Sequence, residues 1–297
     1  MLLLTIVYQG ENDLVFKLNE LKEYFKEKNV ILGISESIEK DTHFIKIFCG
    51  DDNITDKFKK TFLHYVANIV FKILISEFYD REMTNLVSDN YFFLQQDEIR
   101  DIEIITMKML KEENFQMDDT GIYCMNRKNN IIRNIIGCIE ENNQININGF
   151  MTFRLNCMRN DIEAIIDKVV DKYMIEKEYT EFIRLLKYFV DFQESKMAEI
   201  NIVVDINGKY NVLDSKGKEA FDEFLNDIDK DKILDNNVED LIISGLITNS
   251  PEKINIYGLK NCQNKEFIDT IKNVFTDRVS IMNEDNMYKH RVTEKIK

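Results

Sequence analysis

Apolar residues along this chain recur in patterns that predict strands at both ends and helices between them. At the N-terminus the pattern predicts a strand over residues 2–8, a helix over 12–27 and two strands over 30–35 and 44–49. The polar stretch between those two strands indicates a hairpin. A long helix then starts near Thr55, and its apolar side chains keep helical spacing on a widened stripe.

The middle of the chain is predicted to be wholly helical. Helices are expected over residues 96–111 and 129–141, with a loop around residues 118–121 before the second. Asn160 and Glu163 have the spacing of a capping box and are expected to begin a third helix. The apolar residues of that helix recur every three or four positions: Ile162, Ile165, Ile166, Val169, Val170, Tyr173 and Met174.

A fourth helix follows, and its apolar stripe is wider than one packing partner can cover. The main residues of this stripe are Tyr179, Phe182, Ile183, Leu185, Leu186, Phe189, Val190 and Phe192. We therefore expect this helix to be buried on two sides. If Phe182 and Phe189 belong to a core, truncating either to alanine will cost about 3–5 kcal/mol of stability.

The C-terminal third returns to strands. Asn207-Gly208 lies between apolar runs at 200–204 and 210–213 and predicts a hairpin. Helices are then expected at residues 217–225 and 238–248. The last three elements form a predicted β-α-β unit with parallel strands and a right-handed crossover. These elements are a strand at 253–257, a helix at 266–275 and a strand at 279–282.

These elements together predict an α+β protein, with α/β lobes at both ends flanking a helical middle. The expected domains are an N-terminal α/β lobe at 1–90, a helical domain at 91–195 and a C-terminal α/β lobe at 196–297. The same pattern is compatible with an alternative in which the terminal lobes contribute strands to one shared sheet.

Composition indicates a cytoplasmic protein. The formal charge of −14 argues against a nucleic-acid partner, because affinity for phosphates comes from Lys and Arg. Five dispersed cysteines, none in a C-x-x-C pair, are typical of a reducing compartment. The opening residues lack a basic segment and predict a strand instead of a signal peptide. Charged residues interrupt the apolar stretch at 58–78, so we expect no membrane span.

Motifs of the common enzyme classes are absent from the sequence. It contains no G-x-x-x-x-G-K-[ST], G-x-G-x-x-G, H-E-x-x-H or G-x-S-x-G. Asp227, Asp229 and Asp231 resemble the first ligands of a calcium loop. Lys232 and Val238 occupy the positions where that loop needs Gly and Glu, which favours a solvated acidic loop. We therefore predict no catalytic residue, no metal and no cofactor.

Four residues are candidates for a binding site, namely Arg154, Glu178, Arg184 and Tyr188. An arginine among apolar neighbours needs a carboxylate or carbonyl partner, because an unpaired buried charge is costly. Glu181 lies three residues before Arg184 and is its expected partner. The favoured interpretation is that both arginines belong to structural ion pairs. The alternative is an anion or partner site formed by the arginines and Tyr188.

Two further features have both a functional and a structural interpretation. Glu163, Asp167 and Asp171 form an acidic row at helical spacing, which either binds a cation or basic partner or is a solvated face. Gly258 lies between a strand and a helix whose expected cap is Asn264, and such a junction is able to bind an anion. We favour the solvated face for the row and a plain turn for the glycine.

Three segments resemble a known family. Residues 148–155 read NGFMTFRL, residues 178–193 read EYTEFIRLLKYFVDFQ and residues 241–258 read LIISGLITNSPEKINIYG. These segments are similar to the YtxC-like family of sporulation proteins, which is found in endospore-forming bacteria. The resemblance spans nearly the full chain. It implies a cytosolic protein associated with sporulation, and it supplies no catalytic residue to carry over.

The leading hypothesis is a non-enzymatic interaction or regulatory protein that acts in the cytoplasm during sporulation and binds an unknown protein partner. It is based on the missing catalytic constellation and on the aromatic-rich helices, since helix grooves are a common recognition mode. The alternative is an enzyme or small-molecule sensor with a site between the helical middle and the C-terminal lobe. A nucleic-acid-associated protein is a third hypothesis, which the negative charge disfavours.

Overall fold

The computed structural model describes residues 1–10, 14–50, 54–111, 118–220 and 238–282, with the backbone alone at 155–157. The chain divides into two compact units, residues 1–174 and 175–297. Each unit has its own four-stranded sheet and its own hydrophobic core. The α+β class is thereby confirmed, and the described strands do not form one shared sheet. The division into three domains stays a prediction.

The sheet of the N-terminal unit consists of β1 (Leu2–Gln9), β2 (Leu32–Glu39), β3 (Thr42–Cys49) and β4 (Gln144–Asn146). The strands lie in the order β2-β3-β1-β4. β3 pairs antiparallel with β1 and β2, whereas β4 pairs parallel with β1. The predicted hairpin between β2 and β3 is present, and Lys40 takes a positive φ in its turn.

Three of the first four helices of this unit follow the predicted positions closely, and the third was not predicted. α1 is Leu14–Glu27 and α2 is Asp56–Phe78. A π-helical turn at Tyr79–Met83 leads from α2 into α3, Thr84–Asn90. α4 is Gln96–Lys111, with the bounds that the sequence predicted.

α2 is the central helix of the N-terminal unit. Thr55 caps it, because the threonine hydroxyl accepts a hydrogen bond from the Phe58 backbone N–H at 3.1 Å. Its buried residues are Phe58, Phe62, Val66, Ala67, Val70, Phe71, Ile73, Leu74, Ile75 and Phe78. Within the described part of the chain, residues 56–90 are the one helical stretch long and apolar enough to cross a membrane. Half of its apolar window is buried, as is usual for a core helix.

α5 begins earlier than predicted. Asp118 is its N-cap and accepts a hydrogen bond from the Gly121 backbone N–H at 2.7 Å, so α5 covers Asp119–Asn142. The expected loop at 118–121 is therefore the cap and first turn of a helix. Lys172 also donates a hydrogen bond to Asp118, and the two donors hold the pKa of this carboxyl below its usual range.

The middle of the chain is not wholly helical, because β4 lies between α5 and the next helix. Ile145 of β4 is buried, and β4 pairs with β1. The Asn148 side chain bonds both backbone groups of Gln9, at 2.7 and 2.8 Å. A three-residue strand has too few positions to display an alternating pattern, so the sequence did not reveal it.

α6 is one continuous helix, Ile147–Phe192, where the sequence predicted two. Asn160 lies inside this helix, so the predicted capping box is absent, and Arg154 also lies within the helix. No proline or glycine interrupts α6 beyond its first turn, and a helix propagates readily once it has formed. The apolar stripe from Ile162 to Val170 is buried in the N-terminal core, as predicted.

The sheet of the C-terminal unit has the order β6-β5-β7-β8. Its strands are β5 (Glu199–Val204), β6 (Tyr210–Asp214), β7 (Lys253–Tyr257) and β8 (Val279–Met282). β5 and β6 form the predicted hairpin, which is antiparallel. β7 pairs parallel with both β5 and β8.

Two helices pack with this sheet, α7 (Val238–Asn249) and α8 (Lys265–Phe275). Asn264 caps α8 as predicted and accepts a hydrogen bond from the Phe267 backbone N–H at 3.2 Å. β7, α8 and β8 thus form the expected β-α-β unit with parallel strands. The core includes Ile200, Ile202, Leu241, Leu246, Ile254, Ile256, Phe267 and Ile271.

Two turns of this unit have the same hydrogen-bonding pattern. Asp205 and Asp214 each accept hydrogen bonds from the backbone N–H groups two and four residues ahead, at 2.8 and 2.9 Å. Gly208 and Gly217 follow them at the same spacing with φ of +78° and +75°. Such values favour glycine, because it has no Cβ.

The second of these turns shows that the prediction of a helix at 217–225 is wrong for its first residues. Residues 217–220 form the end of the turn and a β-bridge from Glu219 to Leu213. The rest of that predicted helix lies outside the described residues, as do the acidic loop at 227–235 and the tail at 288–297.

Candidate interaction surface

The C-terminal part of α6 has two apolar faces in the C-terminal unit. Its inner face consists of Tyr179, Ile183, Leu186 and Val190. Ile183, Leu186 and Val190 pack into the core of this unit. The Val190 carbonyl also accepts a hydrogen bond from the buried Ser250 hydroxyl at 3.1 Å. The Tyr179 hydroxyl lies 3.2 Å from the Thr270 hydroxyl oxygen on α8. These contacts fix the helix on the sheet and its helices.

The second apolar face of this helix is exposed. We call it the outer face, and it consists of Ile175, Phe182, Leu185, Tyr188, Phe189 and Phe192. Each of these residues has between 51% and 74% of its surface exposed. The prediction that the helix is buried on two sides is therefore wrong for the structure described. The sequence pattern does correspond to two apolar faces, but this unit covers one of them.

Helical geometry places the two faces side by side. Successive residues of an α-helix are rotated by about 100°, so residues seven apart nearly coincide. Ile175, Phe182 and Phe189 therefore lie on one line, and Leu185 and Phe192 lie on a second line beside it. The inner face covers an arc of roughly 60° and the outer face an arc of roughly 140° around the same axis.

Aromatic contacts pre-order the C-terminal end of the outer face. The rings of Tyr188 and Phe192 have their centroids 4.4 Å apart. The ring of Phe189 lies 6.3 Å from that of Tyr188, in an edge-on arrangement. Aromatic side chains with few rotatable bonds lose little entropy when a partner binds them. This part of the helix thus presents a contact surface in the free protein.

The predicted binding residues lie at different places on α6. Glu178, Arg184 and Tyr188 belong to the C-terminal unit, and Arg154 belongs to the N-terminal unit. Tyr188 is part of the outer face, Glu178 lies on its second line seven residues before Leu185, and Arg184 borders it. Their role in binding stays a prediction.

The two arginines form the ion pairs that the sequence analysis favoured. Arg184 contacts Glu181 at 2.7 Å, and Arg154 contacts Glu141 at 3.4 Å. Both pairs are largely exposed, so each contributes at most about 1 kcal/mol. Arg184 therefore does not carry a buried charge.

Each member of the acidic row has a local partner. Glu163 pairs with Arg159 at 2.9 Å and Asp171 with Lys168 at 3.4 Å. Asp167 accepts a hydrogen bond from the Tyr91 hydroxyl. Burial, and then this carboxylate, raises the pKa of Tyr91 above its usual value. Within the described residues no group of His, Cys, Asp and Glu is arranged to hold a metal ion.

Gly258 is explained by the close approach of two strands. It takes φ of +70°, and a Cβ at this position would lie 2.1 Å from the Val204 carbonyl oxygen. A short 3₁₀ helix, Leu259–Asn261, separates it from the capped start of α8. The glycine is therefore needed by the backbone of this turn.

The sequence analysis missed a groove on the surface of the N-terminal unit. It has a volume of about 700 Å³ and lies between α2 and α5. Its lining residues are His64, Asn68, Met125, Lys128, Asn129, Ile132, Arg133 and Ile136. The Lys128 ammonium lies 5.6 Å from the centre of the Phe71 ring. The lining includes basic and amide side chains but no carboxylate, in a chain of net charge −14.

The helical spacing of the lining residues is the signal in the sequence that could have revealed this groove. Residues 64 and 68, and residues 125, 129, 132 and 136, lie three or four positions apart on their helices. The pairing of α2 with α5 is a tertiary contact, so the sequence alone did not combine the two rows.

The fold and the exposed helix face thus define a two-unit α+β protein, and comparison with known proteins identifies its family. The chain belongs to the YtxC-like family, which matches residues 64–280 and therefore includes all of α6. It is also similar to a protein of Bacillus subtilis (strain 168) described as "Uncharacterized protein YtxC", with 22% identity over 288 residues covering 94% of each chain. No solved structure matches the chain. The resemblance seen in the three sequence segments is thereby confirmed.

Proposed function

We propose that this chain is a non-enzymatic interaction or regulatory protein that binds a protein partner through the outer face. The observation that carries the proposal is the exposure of six large apolar residues on one side of one helix. The adjacent inner face of the same helix packs into the core of the C-terminal unit. A partner on the outer face would complete the two-sided burial that the sequence pattern predicts.

The size and composition of the outer face support this proposal. Large apolar side chains expose about 150–250 Å² when free, so these six residues leave roughly 600 Å² in solvent. The largest apolar patch of an ordinary monomer covers about 300–600 Å². Four of the six residues are Phe or Tyr, and aromatic residues are enriched at the centres of protein interfaces.

The proposed cytoplasmic location and the proposed role in sporulation have separate support. Among the described residues, Cys49, Cys124, Cys138 and Cys262 are free thiols. Free thiols are the usual state in a reducing compartment, which supports the cytoplasm. The sporulation role is proposed from the resemblance of the three sequence segments.

Site-specific photo-crosslinking in sporulating cells tests the proposal. A photoreactive phenylalanine analogue replaces Tyr188 in a tagged full-length chain, and the control carries it at Ile206. Ile206 is more accessible than Tyr188, at 89% against 57% exposure, but lies in the hairpin turn of the same unit. We expect a crosslinked protein adduct from position 188 and none from position 206.

A second variant shows whether the adduct depends on the outer face. Phe189→Asp should abolish crosslinking from position 188, because a carboxylate in the contact would have to lose its water. Circular dichroism and thermal unfolding should show that the variant remains folded. The proposal is overturned if position 188 yields no adduct. It is also overturned if the folded Phe189→Asp variant yields the same adduct as the chain that carries the analogue at position 188 alone.

The groove between α2 and α5 favours a second candidate function, the binding of an anionic small molecule. Its volume of about 700 Å³ is typical of ligand sites, and its lining includes Ile132 and Ile136. Lys128, Arg133 and the amide of Asn68 would bind phosphate or carboxylate groups. In this function the protein is a small-molecule sensor with its site in the N-terminal unit.

A thermal-shift measurement with pyrophosphate, ATP and citrate tests the second candidate. A ligand at about 100 times its Kd adds about 2.7 kcal/mol of stability, which raises Tm by several degrees. We expect Arg133→Ala to lose most of this shift. Arg100→Ala, at an exposed position of α4, should retain it. No shift with any of the three anions would contradict the candidate.

A further inference from the structure

We infer that the occupant of the outer face is the outer face of a second copy of this chain, in an antiparallel pair of α6 helices. This inference rests on the proposed function, because it takes the outer face to be a protein-binding surface. It adds the identity of the partner and the geometry of the contact. The argument uses the spacing, charge and area of residues 175–192.

The spacing of the outer face is that of a helix-pairing seam. Ile175, Phe182 and Phe189 recur every seven residues. Leu185 lies three residues after Phe182, and Phe192 lies three residues after Phe189. Apolar residues in this alternation occupy the a and d positions of a coiled coil. Residues 175–192 span about 26 Å, which is long enough for a short paired-helix contact.

A symmetric pair is able to use this surface on both sides. A two-fold dimer buries the same patch of each copy, so the patch must be complementary to itself. Five of the six seam positions are apolar, and apolar side chains pack against each other without a specific partner. Tyr188 borders the seam and would supply the rim of the contact.

The charge at position 178 decides the direction of the pair. Glu178 occupies the d position between Ile175 and Phe182. A parallel pair in register would place the two Glu178 carboxylates directly opposite each other, and like charges in a seam repel. In an antiparallel pair, Phe182 lies opposite Leu185 of the second copy. The two Glu178 residues are then roughly 16 Å apart along the helix axis.

The available area fits a stable but modest dimer. The outer face presents roughly 600 Å² on each copy, so a pair would bury roughly 1,200 Å² in total. Specific interfaces begin at about this size.

Sedimentation equilibrium of the full-length protein tests the inference, over loading concentrations from about 0.5 to about 100 micromolar. We expect a monomer–dimer equilibrium for the wild type. Phe182→Asp and Phe192→Asp should each weaken dimerisation by at least about 100-fold. Phe192 is 74% exposed at the end of α6, so its replacement leaves the inner face intact even if Phe182→Asp fails to fold. Ile206→Asp should dimerise like the wild type.

The direction of the pair is measured by crosslinking at Phe192. A photoreactive analogue at this position should attach near Ile175 of the second copy in an antiparallel pair. In a parallel pair the analogue should attach near residue 192 of the second copy. Mixing isotopically labelled and unlabelled chains identifies the adducts that form between copies. Attachment near residue 192 would overturn the antiparallel geometry.

Failure of this inference is distinguishable from failure of the proposed function. One outcome is a wild type that is monomeric at all concentrations while position 188 forms an adduct with a different protein. That result would refute the inference that the partner is a second copy and would leave the proposed function standing. A monomeric wild type with no adduct from position 188 overturns both. Dimerisation that survives in folded Phe192→Asp would place the contact elsewhere and overturn the inference.

Discussion

Replacing Phe71 with alanine is expected to destabilise the N-terminal unit by about 3–5 kcal/mol. Phe71 lies on α2 and is 1% exposed. Its ring belongs to the hydrophobic core of the unit, and the Lys128 ammonium lies 5.6 Å from its centre. Truncation removes the buried ring and leaves a cavity, and both effects lower the free energy of unfolding.

Phe153→Ala is the matched control for this experiment. Phe153 also belongs to the N-terminal unit, but 85% of its surface is exposed. The change should alter the free energy of unfolding by less than about 0.5 kcal/mol. Urea unfolding of both variants and the wild type provides the comparison. Equal losses in the two variants would contradict the core position of Phe71.

Replacing Gly258 with alanine should destabilise the C-terminal unit by about 3 kcal/mol or more. Two effects add at this position. An L-residue at φ of +70° is strained by about 1–2 kcal/mol. The new Cβ would also lie 2.1 Å from the Val204 carbonyl oxygen, so β5 and the turn after β7 must move apart. Backbone atoms cannot yield as a flexible side chain does.

Gly217→Ala separates these two effects. Gly217 belongs to the same unit and has a similar φ of +75°, but no atom of the described residues lies within 4 Å of an added Cβ. Its replacement should therefore cost only the conformational part, about 1–2 kcal/mol. Thermal unfolding followed by circular dichroism gives both values. If the two variants lose the same stability, the close approach at Val204 has no energetic consequence.

The outer face shows how far sequence reasoning reached for the candidate site. The stripe on the second half of α6 is too wide for one partner, and this feature was visible in the sequence. Which residues face the core of the unit was not visible. The answer depends on how α6 lies against α8 and the segment after α7, as the contacts of Tyr179 and Val190 show.

This result changes the expectation for Phe182 and Phe189. Both were predicted to cost about 3–5 kcal/mol on truncation if they belong to a core. Each is about half exposed, so the condition is not met within one copy of the chain. Under the second-copy inference, their energetic contribution appears as a dimerisation free energy instead.

The sequence by itself determined the elements whose cause is local. The start of α2 near Thr55, the cap at Asn264, the Asn207-Gly208 hairpin and the bounds of α4 follow from the preferences of neighbouring residues. These interactions form within a few residues, so the order of residues is enough to predict them.

Only the tertiary structure decided the features that depend on distant residues. β4 exists because β1 pairs with it from more than 130 residues away, and the groove exists because α2 packs on α5. The exposure of the outer face has the same origin, since the core of the C-terminal unit covers only the inner face of α6. Periodicity specifies that a face is apolar, but the partner that covers it is set by chain topology, which local preferences do not encode.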